Sequence, residues 1–241
     1  MRQRKEVDIA TNAFNAQRLA RLAGVLVLIS ILAGGFAEVY VPGRIFVAGD
    51  AAATARSLAG HPALFRISFA VYLIEAACDV TLALLFYVLL RPVNQYVSLL
   101  AAFFGLVSTS TFAFAELFYF VAAVPALDVD MFRVLTTSQR DTFTFIAIAL
   151  YGYGGTVFMM FYGIATLLRG YLWYRSTYLP RIIGALLVLG GASFVVKNVA
   201  VVLAPKYDSD LLLLPMFAAM IPLTAWLLLK GIDRSRWPSQ T

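Results

Sequence analysis

The chain is short of the residues from which most active sites are built. Its 241 residues include one cysteine, Cys78, and one histidine, His61. A lone cysteine excludes an internal disulfide, and a lone histidine argues against bis-histidine haem or a three-histidine zinc centre. There is no aspartate-rich repeat, His-x-Glu pair or G-x-S-x-G elbow, so the common signatures of metal-dependent and serine-dependent chemistry are missing. No catalytic residue, metal site or cofactor is assigned on this basis. Charge is scarce too: 13% of the residues are Asp, Glu, Lys or Arg, against about 25% in soluble domains. The net charge of +6 is spread through short loops and tails, with no basic cluster beside stacking aromatics, which argues against nucleic acid as a partner.

What the sequence has in abundance is apolar length. With 61% hydrophobic residues and a mean hydropathy of +0.83, it reads as an integral membrane protein whose first partner is the lipid bilayer. The expected fold is all-α: one polytopic helix bundle over residues 1–241, with six transmembrane helices at about 19–41, 66–90, 96–123, 143–168, 182–203 and 211–229. A short surface helix leads into the first span, and Pro42-Gly43 ends that span. The first span is too long for a signal peptide and lacks a small-x-small cleavage pattern, so it is read as a retained helix. Two short outer amphipathic helices are predicted. Asp50 caps one over AAATARSLAG, closed by Gly60, and the other falls around Asp128 to Leu135. RPVNQ (91–95) is so short that the second and third spans must be antiparallel neighbours.

Basic residues set the expected orientation. With the N-terminus cytoplasmic, twelve Lys and Arg fall in inner segments, Arg91, Arg169, Arg175 and Arg181 among them, and six in outer segments. Both termini are therefore expected inside. Lys197 is the remaining one and belongs to neither side.

Against this apolar background the ionisable residues stand out. Arg66 to Arg91 spans roughly 37 Å as a helix, more than the roughly 30 Å hydrocarbon core, so Glu75 and Asp79 must lie in the membrane. Ser68, Tyr72, Glu75 and Asp79 share one helix face. Glu38 lies 17 residues beyond Arg21 and Lys197 lies 16 beyond Arg181, both near the outer boundary. Glu116 is close to the outer end of the third span. Four acids facing one ammonium cannot all stay ionised in a low-dielectric setting, so such a group takes up protons or cations. The candidate ligand- or ion-binding set is Glu38, Tyr72, Glu75, Asp79, Glu116, Lys197 and Asn198. The alternative is that these residues form a hydrogen-bonded network fixing helix register, or a polar contact with a membrane protein partner. Ser108 to Thr111, Gly152-x-x-Gly155 and Gly190-Gly191 read as helix-packing surfaces, and Cys78 as an inert small hydrophobe.

Several longer patterns carry a resemblance. ARLAGVL (20–26), AEVY (37–40), GDAAATA (49–55), CDVTLALLFYVLLRPVN (78–94), LLAAFF (99–104), LLRGYLWYRSTYLPRIIGALL (167–187) and LLLKGI (227–232) together resemble a family of bacterial six-span membrane proteins catalogued only as a domain of unknown function. The resemblance covers nearly the whole chain and implies the fold and a bacterial inner-membrane location, but supplies no activity. It also implies a polar or histidine-bearing fourth span. This chain departs there, with YGYGGTVFMMFYGIATLL (151–168).

Three functional classes follow. The first is a protein that binds or translocates a proton, cation or small solute at an outward-biased acidic site. The second is a non-catalytic subunit, sensor or assembly factor of a membrane complex. The third is an intramembrane lipid-active enzyme, for which two acids one turn apart are the only support.

Overall fold

The computed structural model describes residues 2–124, 132 and 134–238, with side chains from residue 14 onward. Among these residues the chain is all-α, with no strand. Helix α1 (Arg2–Gly34) runs through a π-helical segment (Gly35–Tyr40) into α2 (Val41–Ile45). Then come α3 (Ala51–Gly60), α4 (Pro62–Leu90), α5 (Gln95–Ala123), α6 (Thr137–Arg175), α7 (Arg181–Leu203) and α8 (Leu214–Leu229). Among the described residues six helical segments are long and apolar enough to cross a membrane: Phe14–Ile45, Pro62–Leu90, Gln95–Ala123, Thr137–Arg175, Arg181–Leu203 and Asp210–Leu229.

Local chemistry explains most of the boundaries. Gly49 takes the left-handed conformation at φ 74°, and the Asp50 side chain then accepts a hydrogen bond from Ala53 N at 2.8 Å to cap α3. Pro62 opens α4, where its missing N–H costs nothing. Asn94 caps α5 through Val97 N at 3.0 Å, and Ser98 Oγ donates back to Tyr87 O at 3.0 Å, which closes the tight α4–α5 turn. The outer helix predicted around Asp128 to Leu135 falls largely outside the described residues.

Three boundaries differ from the sequence expectation. The helix before the first span is continuous with it from Arg2. Pro42-Gly43 does not end that span, because the wider π turn carries the chain past the proline to Ile45. Helix α6, at 39 residues, is about 58 Å long. That is nearly twice the hydrocarbon thickness, so Arg169 lies within a helix that runs on to Arg175.

The chain packs as two compact units. The first comprises Met1–Leu28, Cys78–Ser108 and Met159–Thr241, and the second Ile29–Ala77 and Thr109–Phe158. Leu85, Leu89, Leu172, Trp173, Leu187 and Leu227 lie in the core of the first. Its helices approach closely at glycines. A Cβ on Gly191 would fall 2.6 Å from Gly163 O, and one on Gly24 would fall 2.9 Å from Leu227 Cβ, so a side chain at either position would force the helices apart. The core of the second unit is aromatic, with Phe65, Tyr72, Phe112 and Tyr119 buried among Ala37, Val41 and Ile45.

Candidate functional site

The second unit holds a polar cluster inside its aromatic core, and the π segment organises it. Within that segment Val41 N–H reaches back five residues to Phe36 O. In the same register the partner of Ala37 O would be the N–H of residue 42, which is a proline and has none. The Ala37 carbonyl is thus released from the helix, and side chains of α4 take it up. Tyr72 Oη donates to it at 2.8 Å and Ser68 Oγ at 3.5 Å. A carbonyl cannot donate, so Tyr72 spends its only proton there. In the 2.7 Å contact between Tyr72 and Tyr151 hydroxyls the donor must therefore be Tyr151. Tyr119 Oη likewise donates to Ser68 Oγ at 3.2 Å. Two short hydroxyl chains, Tyr151 to Tyr72 and Tyr119 to Ser68, converge on one carbonyl.

The acids stand around these hydroxyls. Glu116 is 3% exposed, and neither of its carboxylate oxygens has a hydrogen-bond partner among the described residues. It is electrostatically coupled to Tyr72, Tyr119 and Tyr151, and Glu38 is coupled to Glu116 and to the Tyr72–Tyr151 pair. Glu38 itself is half-buried in the π segment. Glu75 lies against Gly34, where a Cβ would sit 3.0 Å from Glu75 Oε1, so that glycine makes room for the carboxylate. Glu38, Tyr72, Glu75 and Glu116 thus belong to one unit.

The other three candidates belong to the first unit. Asp79 interacts electrostatically with Arg169, whose guanidinium also lies over the Phe86 ring at 5.3 Å and interacts with Tyr162. Lys197 Nζ donates to Asp208 at 2.8 Å and Asp210 at 3.0 Å, both beyond the end of α7. Asn198 turns its amide back to Phe194 O at 2.7 Å within its own helix. His61 is exposed and bonds to Ser57 O at 2.9 Å.

Sequence reasoning passed over Tyr151 and Arg169. The only signal for Tyr151 was a tyrosine beside Gly152 in an otherwise apolar span. Arg169 read as a boundary arginine, although it follows Tyr162 by seven residues on one face of an overlong helix. The glycines of the fourth span were also misassigned. Nothing lies within 4 Å of a Cβ built on Gly152 or Gly155, whereas one on Gly154 would fall 2.5 Å from Ala115 Cβ. Gly154 is therefore the close-packing residue.

The six apolar spans found among the described residues define a multi-pass helical membrane protein. The chain matches DUF4386, described as a domain of unknown function, over residues 22–231, and belongs to that family. It is also similar to an uncharacterised protein of Archaeoglobus fulgidus, 29% identical over 118 residues, which covers 49% of this chain and 57% of that relative. No solved structure matches it.

Proposed function

We propose that the carboxylate and hydroxyl cluster of the second unit is a site that binds or moves a proton, cation or small solute. In this reading the protein sits in a bacterial inner membrane, both termini are cytoplasmic, and the site is biased toward the outer side. The orientation rests on the excess of Lys and Arg in the segments taken as inner. The observation that carries the functional reading is Glu116, whose two oxygens are buried without a hydrogen-bond partner among the described residues. A network built only to fix helix register satisfies its buried acids, because a stranded carboxylate costs several kcal/mol in a low-dielectric interior. At 3% exposure Glu116 is also out of reach of another membrane subunit, which weighs against a subunit contact at this residue. A positively charged ligand offsets the cost directly.

The test is ligand-dependent stability of the detergent-solubilised full chain. Binding to the folded state alone raises stability by about 2.7 kcal/mol at a ligand concentration of 100 Kd. The melting temperature of the wild type should respond to protons, sodium or a small ammonium ion, and that of Glu116→Gln should not. Equal responses in the two proteins, or none in either, would remove the proposal.

A further inference from the structure

The hydrogen-bond inventory of this cluster narrows the ligand. A bound metal cation needs about six oxygen lone pairs converging at about 2.3–2.6 Å. Here Ala37 O already accepts two hydroxyl protons, and the Tyr72 oxygen both donates and accepts. An organic ammonium gains much of its stabilisation in an aromatic site from open ring faces. Yet Tyr72 packs on Tyr119 at 5.2 Å, Tyr119 on Tyr151 at 5.2 Å and Tyr72 on Tyr151 at 6.2 Å, so these rings cover one another. A proton needs neither a coordination shell nor space.

The same hydrogen bonds bear on where a proton would rest. Tyr72, Tyr119, Tyr151 and Ser68 have each committed their single hydroxyl proton toward Ala37 O or to the hydroxyl that leads to it. None is left to donate to Glu116. An ionised Glu116 would stand there without a donor among the described residues, whereas the neutral acid carries its own proton and leaves no buried charge. Both hydroxyl chains end on a carbonyl, which has no proton to pass on, so neither chain carries a proton through. The titratable groups facing Glu116 are Glu38 from the π segment, Tyr72 from α4, Tyr119 from α5 itself and Tyr151 from α6. Of these, Glu38 is the half-buried carboxylate, and its depth, 17 residues beyond Arg21 and so near the expected outer boundary, would put it within reach of water.

We infer that Glu116 is a proton-storage site loaded and unloaded through Glu38. The inference rests on the reading above that this cluster is a working site, and it specifies the ligand. In the loading step the O–H bond of a protonated Glu38 breaks as one forms at a Glu116 carboxylate oxygen. The charge of the pair is unchanged, and solvent then reprotonates Glu38.

Infrared spectroscopy of the full chain in lipid bilayers tests this. A protonated-carboxyl stretch should be present at neutral pH, disappear in Glu116→Gln and persist in Glu38→Gln. Its deuterium exchange should slow by an order of magnitude or more in Glu38→Gln. If Glu116→Gln does not fold, Glu116→Asp should shift the band in place of removing it. A band untouched by either Glu116 substitution overturns the storage assignment, and unaltered exchange in Glu38→Gln overturns the loading route. If Glu116 proves ionised but its carboxylate bands move on adding sodium or methylammonium, the proton inference fails while the site reading stands. If the ionised carboxylate responds to neither, both fail.

Discussion

Gly154 offers a sharp test of how α5 and α6 are fitted together beside Glu116. A Cβ at Gly154 would fall 2.5 Å from Ala115 Cβ and 3.4 Å from Ala115 Cα, whereas non-bonded carbons rest at about 3.5–4.0 Å. Neither partner is a flexible side-chain end, so Gly154→Ala must push the two helices apart locally by roughly 1 Å, at an overpacking cost of about 1–3 kcal/mol. The gain in helix propensity on replacing glycine, about 1 kcal/mol, opposes this. The same gain applies to Gly152→Ala and Gly155→Ala, where nothing lies within 4 Å of the new methyl. Propensity therefore cancels in the comparison. At roughly 2–4 °C per kcal/mol for a chain of this length, Gly154→Ala should melt about 2–12 °C below the other two variants in mild detergent, by fluorescence-detected size exclusion. Equal stability of all three would refute the packing argument.

The Lys197 cluster should be asymmetric. Lys197→Met releases Asp208 and Asp210, whose side chains are 35% and 92% exposed, and should cost no more than about 1 kcal/mol; the Asp208→Asn, Asp210→Asn double variant strands a lysine side chain that is 10% exposed and should cost more in the same melting assay. Gln17 clamps the turn after α8, donating to Lys230 O at 2.7 Å and accepting from Ile232 N at 2.9 Å, so Gln17→Ala should lose about 1–3 kcal/mol in chemical denaturation. Gly231→Ala should also destabilise, since its φ is 70° and its Cβ would fall 2.7 Å from the Gln17 amide. Tyr178 donates to Leu89 O at 2.7 Å, and burial pushes its phenol above the ordinary tyrosine range. A raised folded-state value means that its contribution is complete below the ordinary value of about 10 and is lost as pH rises beyond it. Tyr178→Phe should therefore be less stable than wild type at neutral pH, with the gap closing in alkaline melts.

The six spans and the Asp50 cap were legible because each is a local property, the first of apolar length and the second of a side chain three residues from the N–H that donates to it. The candidate site was legible in its carboxylates and not in its organisation. Glu38 and Pro42 read as the end of a helix. That Pro42, in the register of the π turn, frees the Ala37 carbonyl for Tyr72 and Ser68 shows only once α4 is packed beside it. Arg169 could not be told from a boundary arginine by position alone, since the difference lies in the Phe86 ring and the Asp79 carboxylate brought to it by folding. By depth along its helix Lys197 falls at the level of the buried acids. It is held by Asp208 and Asp210, which reach it only because the chain turns at Ala204 and Pro205 beyond α7.

The central claim is that the Glu116 carboxyl is a working site whose resident ligand is a proton. A potentiometric difference titration of wild type against Glu116→Gln, both folded in detergent, tests it most directly. The variant should bind a single proton fewer than the wild type at neutral pH. Equal proton counts at neutral pH would contradict it.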